Sequence, residues 1–249
     1  MNSLNGQVVL ITGAGRGLGR QLAVAFAKCG ARVAANDITP INLDETMAQV
    51  AEMGGRTQAY LFDVAKKMPV QAMVAQILDE WGRIDILINH AEVEPHDSIL
   101  EMDEWDWQRT LDVNLSAPFW LIQVVGRIMR EQGGGVIIHI APNPKDESVL
   151  DKGASYIASK MGLIGLTRAA AYELAGDHVR INVVCPVSIA TGKVSTSQAD
   201  DISDPEFLKG NSPNQADIPR DAIELILYLC RAEAAHLNGQ VFSCNLRVG

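Results

Sequence analysis

The stretch Val8-Val-Leu-Ile-Thr12-Gly-Ala-Gly-Arg-Gly-Leu-Gly19 decides the fold. Its first four residues are apolar and β-branched or leucine, the pattern of a strand buried on both faces. Glycines at 13, 17 and 19 then turn the chain into an amphipathic run over Leu18–Lys28 that predicts a helix. A glycine-rich turn between strand and helix leaves room for a pyrophosphate. The helix N-terminus behind it offers unpaired N–H groups and the positive end of a dipole. Gly13, Gly17, Gly19, and the Arg16 and Leu18 between them, are therefore candidate dinucleotide contacts.

Outward from this turn the same alternation continues. Strands are expected at Val8–Ile11, Arg32–Ala35, Thr57–Leu61, Ile84–Ile88, Val136–Ile140, Val179–Val184 and Gln240–Ser243. Helices are expected at Leu18–Lys28, Asn42–Met53, Val70–Trp81, Trp105–Arg130, Ser155–Leu174 and Arg220–Arg231. Strand and helix in strict succession imply α/β architecture: a doubly wound, seven-stranded parallel sheet of Rossmann type in a single domain over residues 1–249. The polar stretch 190–214 is too long for an ordinary connection and is expected to be a substrate lid.

Two further places carry chemistry. At the end of the second strand stands Asp37, where a carboxylate hydrogen-bonds ribose hydroxyls and repels a 2′-phosphate, which favours NAD over NADP. Arg16 pulls the other way, as a guanidinium able to hold that phosphate. Farther on, Tyr156 and Lys160 in Ser155-Tyr-Ile-Ala-Ser-Lys160 are four apart and share a helix face. An ammonium beside a phenol favours the phenolate, so the tyrosine pKa is expected to fall from about 10 toward working pH.

Composition narrows the remaining classes. With 47% hydrophobic and 20% charged residues the chain has enough apolar mass for a large core. A net charge of −9 and pI near 5.0 disfavour nucleic acid and anionic membrane as partners. No apolar run reaches the roughly 18 residues of a membrane span, and the first residues do not resemble a signal peptide. A cytoplasmic location is expected. Four scattered cysteines, with no Cys-x-x-Cys pair, predict reduced apolar fillers and no metal site.

With these residues in place, the chain resembles the short-chain dehydrogenase/reductase family over almost its whole length, including members of the 3-oxoacyl thioester reductase kind. Thr12 to Gly19 matches the family's coenzyme loop, and Asp63-Val64 its adenine contact. Asn89 matches the first asparagine of Asn-Asn-Ala-Gly, and Pro186 with Thr191 the Pro-Gly-x-x-x-Thr segment at the nicotinamide carboxamide. Asn114 in Asp112-Val-Asn114-Leu resembles the catalytic asparagine. The resemblance implies a hydride transfer with Tyr156 giving or taking the hydroxyl proton. Lys160 would tune Tyr156 and hold the nicotinamide ribose, and Asn114 would hold a water leading to solvent. It also implies a homo-oligomer, a tetramer or dimer, through the helices holding Leu115–Arg130 and Tyr156–Leu174.

The chain departs from the pattern on the nicotinamide side. The family's serine, about thirteen residues before the tyrosine, falls within His139-Ile-Ala-Pro-Asn143-Pro144, so its place goes to Asn143, Pro142 or Ala141, none with a hydroxyl. Asn143 can donate to a carbonyl through its amide but cannot relay a proton. Ser148 and Ser155 stand at the wrong spacing. Asn-Asn-Ala-Gly reads Asn89-His90-Ala91-Glu92, which puts bulk and negative charge near the pyrophosphate and ribose, and Pro-Gly reads Pro186-Val187. His90 reads first as a histidine hydrogen-bonded at the sheet edge. Three functions stay open: an NAD-dependent oxidoreductase on a small alcohol or ketone, a nucleotide-binding or scaffold protein that has lost efficient catalysis, and a nonredox lyase or isomerase using Tyr156 as acid.

Overall fold

The computed structural model describes residues 4–142, 150–186 and 220–244. Seven strands, β1 (Val8–Thr12), β2 (Arg32–Asp37), β3 (Arg56–Leu61), β4 (Ile86–Asn89), β5 (Gly135–Ile140), β6 (Val179–Cys185) and β7 (Val241–Ser243), form one parallel sheet in the order β3-β2-β1-β4-β5-β6-β7. The helices are α1 (Gly17–Lys28), α2 (Pro40–Glu52), α3 (Lys67–Trp81), α4 (Glu104–Leu111), α5 (Ala117–Gln132), α6 (Ala154–Glu173) and α7 (Arg220–Leu229). The doubly wound, seven-stranded parallel fold expected from the sequence is present. The expected lid at 190–214, together with Asn143, Ser148, Val187 and Thr191, lies outside the described residues.

Strand alternation divides the interior into two main cores, with a small third cluster of Ala141, Ile164, Val183 and Cys185. Val9 and Ile11 face one side with Leu22, Ala23 and Phe26 of α1, Val50 of α2 and Ile226 of α7. Val8 and Leu10 face the other with Met73 and Ile77 of α3, Leu121 and Val125 of α5 and Ala170 of α6. All are fully or almost fully buried, and each large aliphatic side chain so placed contributes about 1.5–3 kcal/mol. β1 pairs with β2 on one flank and β4 on the other. The strand order therefore reverses between β1 and β4, and a crevice opens beyond their carboxyl ends, where such sheets bind ligands.

One expectation needs correction. The single helix expected over Trp105–Arg130 is α4 and α5 joined by a π-turn at Asp112–Ser116. Apolar periodicity runs through the turn and hides the extra residue, which widens the helix and re-aims Asn114.

Candidate active site

The glycine-rich loop is built by close approach. Gly13 has φ +67°, and a Cβ there would lie 2.9 Å from Ala91 Cα; a Cβ on Gly19 would collide with the Gly13 carbonyl oxygen. Only hydrogen at these positions lets α1 start hard against the end of β1. The loop is then tied to β2. Ala14 N–H donates to Asn36 O at 2.8 Å, and Gly15 N–H donates to Asp37 Oδ2 at 3.0 Å. Buried Asn36 gives its amide protons to Tyr60 O and Phe62 O, which fixes the end of β2 and so the Asp37 carboxylate. Arg20 reaches back from α1 to the Gly15 carbonyl, Thr46 Oγ1 and Glu45, bracing the loop from behind. Arg16 is exposed at the start of α1, whose first residue, Gly17, has φ +53°, and Leu18 packs against the first core.

Asp63 follows β3, where its Oδ1 accepts from Ala65 N–H and its Oδ2 pairs with Arg109 of α4 at 3.2 Å. Val64 is buried in the second core. Asn89 ends β4 buried, its Nδ2 3.0 Å from His139 Nδ1 on β5; Asn89 Oδ1 and His139 Nε2 have no partner among the described residues. Burial, with Lys160 adding to it, pushes the His139 pKa down to about 3, so this ring is neutral.

The segment after β4 is pinned on both sides. Thr12 Oγ1 accepts from the N–H groups of His90 and Ala91, each at 3.1 Å. Asn114 Oδ1 accepts from Val93 N–H, and its Nδ2 donates to Val93 O, both at 2.9 Å. The second Nδ2 proton goes to Ser159 Oγ on α6, at 3.1 Å. Asn114 is thus a clamp between the π-turn, the 90–93 segment and α6, with one Oδ1 lone pair left for a water. His90 Nδ1 lies 3.2 Å from Gly13 O, the sheet-edge bond anticipated for it, and burial lowers its pKa.

Tyr156 and Lys160 share the buried face of α6, with the ammonium 5.5 Å from the phenol ring centre. Lys160 is 2% exposed and donates to Ile140 O at 3.0 Å. Between them stands Glu92, whose contact with α6 sequence reasoning missed. Glu92 Oε2 is 2.7 Å from Lys160 Nζ and 3.1 Å from Tyr156 Oη, which donates to it. The expected fall in the tyrosine pKa is reversed. Burial and then the Glu92 carboxylate raise the phenol far above its ordinary value, because the nearest charge to Oη is negative and the lysine's is already paired. For Glu92 burial pulls upward, but Lys160 and the hydrogen bonds from it and Tyr156 prevail and hold the carboxyl below its usual range. Glu92 was expected near the pyrophosphate and ribose as an obstacle; its engagement with α6 had no signal in the local sequence.

A glycine-cradled helix start, a carboxylate on the second strand and a buried Tyr-x-x-x-Lys pair beside an asparagine on a π-turn now lie along one crevice. The family model for short chain dehydrogenases matches residues 7–202. The chain belongs to the short-chain dehydrogenase family. Its relatives in that family include the 3-oxoacyl-[acyl-carrier-protein] reductase FabG of Thermotoga maritima, 31% identical over 249 residues, with 96% of each chain covered. Among solved structures, a 7α-hydroxysteroid dehydrogenase complexed with NADH and 7-oxo glycochenodeoxycholic acid superposes with TM-score 0.82 at 27% identity, covering 98% of this chain and 94% of that one. A metagenomic short-chain oxidoreductase in complex with NADP gives TM-score 0.80 at 27% identity, covering 98% and 100%.

Within this short-chain dehydrogenase the serine position remains without a hydroxyl at Ala141 and Pro142, the two described candidates. Ser155 Oγ is buried with no hydrogen-bond partner among the described residues. Pro186 follows β6 half-buried. Ser159, three residues after Tyr156, was not anticipated. It accepts from Asn114 and donates to Tyr156 O at 2.7 Å, tying the asparagine to the tyrosine's own turn.

Proposed function

We propose that the chain is an oxidoreductase that passes a hydride between NAD(H) and the carbon of a small alcohol or ketone, with 3-oxoacyl thioesters as the first substrate class to test. The observation that carries this reading is the convergence of Tyr156 Oη–H and Lys160 Nζ on one oxygen position at the carboxyl edge of the sheet. The residues present fit a dinucleotide at its adenosine end. Gly13 and Gly19 let the turn close tightly, Gly17 leaves the backbone open with nothing within 4 Å of a Cβ, the start of α1 suits a pyrophosphate, and Asp37 suits ribose hydroxyls while opposing a 2′-phosphate. NAD is favoured over NADP for that reason, with Arg16 exposed at the start of α1. Asp63, Val64 and Asn89 would shape the adenine and ribose walls, and Pro186 and Thr191 the carboxamide end.

A bound nicotinamide supplies or accepts the hydride. In the reducing direction Tyr156 gives its Oη proton to the carbonyl oxygen as the carbon is reduced, and solvent restores that proton. Lys160 stabilises the phenolate left behind. Asn114 holds the water through which the proton returns, and Asn143 would donate its amide to the substrate oxygen in place of a serine. In the oxidising direction each transfer runs backward.

The test is a fluorescence titration with NADH and NADPH, followed by nicotinamide absorbance during turnover of a 3-oxoacyl thioester. Micromolar binding of NADH, weaker NADPH and turnover abolished by Tyr156→Phe support the reading; chemistry without an absorbance change would make it a lyase or isomerase instead. Glu92 on Tyr156 and Lys160 favours the second reading, a nucleotide-binding protein with impaired catalysis, which absence of turnover despite binding would establish. Self-association into a dimer or tetramer belongs to the same proposal. The α5–α6 face exposes Phe119 and Tyr172 beside a groove of about 280 Å³ lined by Ile122, Gly126 and Leu166, and a monomer at micromolar concentration in light scattering would end it.

A further inference from the structure

We infer that Glu92 is an internal ligand of the Tyr156–Lys160 pair, which a dinucleotide hydroxyl must displace before the site can work. This rests on the proposed nicotinamide-dependent function. Two donors from α6 aim at one acceptor, Glu92 Oε2, at 2.7 and 3.1 Å. The phenol has a single proton, so an oxygen brought by a ligand and the carboxylate compete for the same bond. Lys160 has already given a second proton to Ile140 O and, almost wholly buried, cannot turn to meet a ligand elsewhere.

The contact is built by the fold. The backbone on either side of Glu92 is held, at Ala91 by Thr12 and at Val93 by the Asn114 clamp. The carboxylate therefore starts from a fixed Cα and leaves only by side-chain rotation. Its side chain is 34% exposed, so solvent is open to it, whereas Lys160 is closed in at 2%. The charges set the consequence. While Glu92 is engaged, the phenol proton is committed and the lysine's charge is spent on the carboxylate. Once Glu92 rotates away, the unpaired ammonium acts on the phenol alone and favours the phenolate. Binding of the dinucleotide thereby arms Tyr156, at the expense of affinity.

The experiment is an NADH fluorescence titration of the full-length wild type, Glu92→Ala and Glu92→Gln, with thermal unfolding of each. Loss of a charge-assisted competitor is expected to lower the Kd of the alanine variant by about tenfold or more. The glutamine variant, which keeps an acceptor oxygen without the charge, should fall between. Equal Kd values for all three proteins, or weaker binding by either variant, overturn the inference while leaving the dinucleotide function standing. Failure of every protein to bind NADH, with normal unfolding, overturns that function and the inference with it.

Discussion

The Asn114 carboxamide and the Val93 peptide form a closed pair, with Asn114 Oδ1 accepting from Val93 N–H and Nδ2 donating to Val93 O, each at 2.9 Å. Asn114 is 1% exposed, so replacing it strands both Val93 peptide groups and leaves Ser159 Oγ with only its bond to Tyr156 O. Asn114→Ala is expected to destabilise the fold by about 1–3 kcal/mol, measured by denaturant unfolding. An unchanged midpoint would show that water replaces the clamp at no cost.

Asp37 sets the cofactor choice by charge. In Asp37→Ser the Gly15 N–H keeps a short acceptor nearby, while the repulsion of a 2′-phosphate is gone. NADPH binding is expected to tighten about tenfold relative to NADH in parallel fluorescence titrations. A wild-type ratio in the variant would move the choice of cofactor to Arg16.

Tyr156→Phe removes a hydroxyl whose hydrogen bond is to the half-exposed Glu92, so folding should be nearly unaffected. Turnover should fall by about 10²–10⁴, the usual worth of a positioned acid. The paired readings are absorbance during turnover and thermal unfolding. A variant that keeps wild-type turnover would remove Tyr156 from the chemistry.

His139 makes stability depend on pH. Its folded pKa of about 3 lies below the ordinary histidine value of 6.5, so between the two the unfolded chain binds the extra proton. Its contribution is complete above the unfolded pKa and is lost as pH falls toward 3, at up to about 1.4 kcal/mol per pH unit. His90 and Glu92, both lowered, act in the same direction, His90 from the same histidine value and Glu92 only below the ordinary carboxylate range. Denaturant unfolding at pH 7, 6, 5 and 4 should show a slope for the wild type that is shallower in His139→Asn. Equal slopes would refute the assignment.

Two glycines should respond oppositely to alanine. A Cβ on Gly19 collides with the Gly13 carbonyl, and Gly19→Ala is expected to cost about 2–4 kcal/mol and abolish NADH binding. Gly165, exposed within α6 with nothing within 4 Å of a Cβ, should gain about 0.5–1 kcal/mol as alanine through helix propensity. Thermal unfolding of both variants measures the contrast.

How much of this was legible depended on the range of each interaction. The turn from Thr12 to Gly19 reads directly, because strand, glycines and helix are adjacent in the chain and the steric demand at each glycine is local. The strand expected at Ile84–Ile88 begins only at Ile86, because Gln132 takes both backbone groups of Ile84. The break at Asp112–Ser116 was invisible for a related reason: one inserted residue barely disturbs a helical apolar pattern but changes where Asn114 points.

The sequence by itself determined the parallel fold, the glycine turn that follows β1 and the shared face of Tyr156 and Lys160, all products of short-range periodicity and turn chemistry. Only the tertiary structure decided the electrostatic state of that face. Glu92 is 64 residues from Tyr156 along the chain, and its carboxylate reaches α6 because strand order, the Thr12 bonds and the Asn114 clamp carry the segment after β4 there. A charge acts through space within a few ångströms, and nothing in the spacing of residues along the chain encodes which charge will arrive.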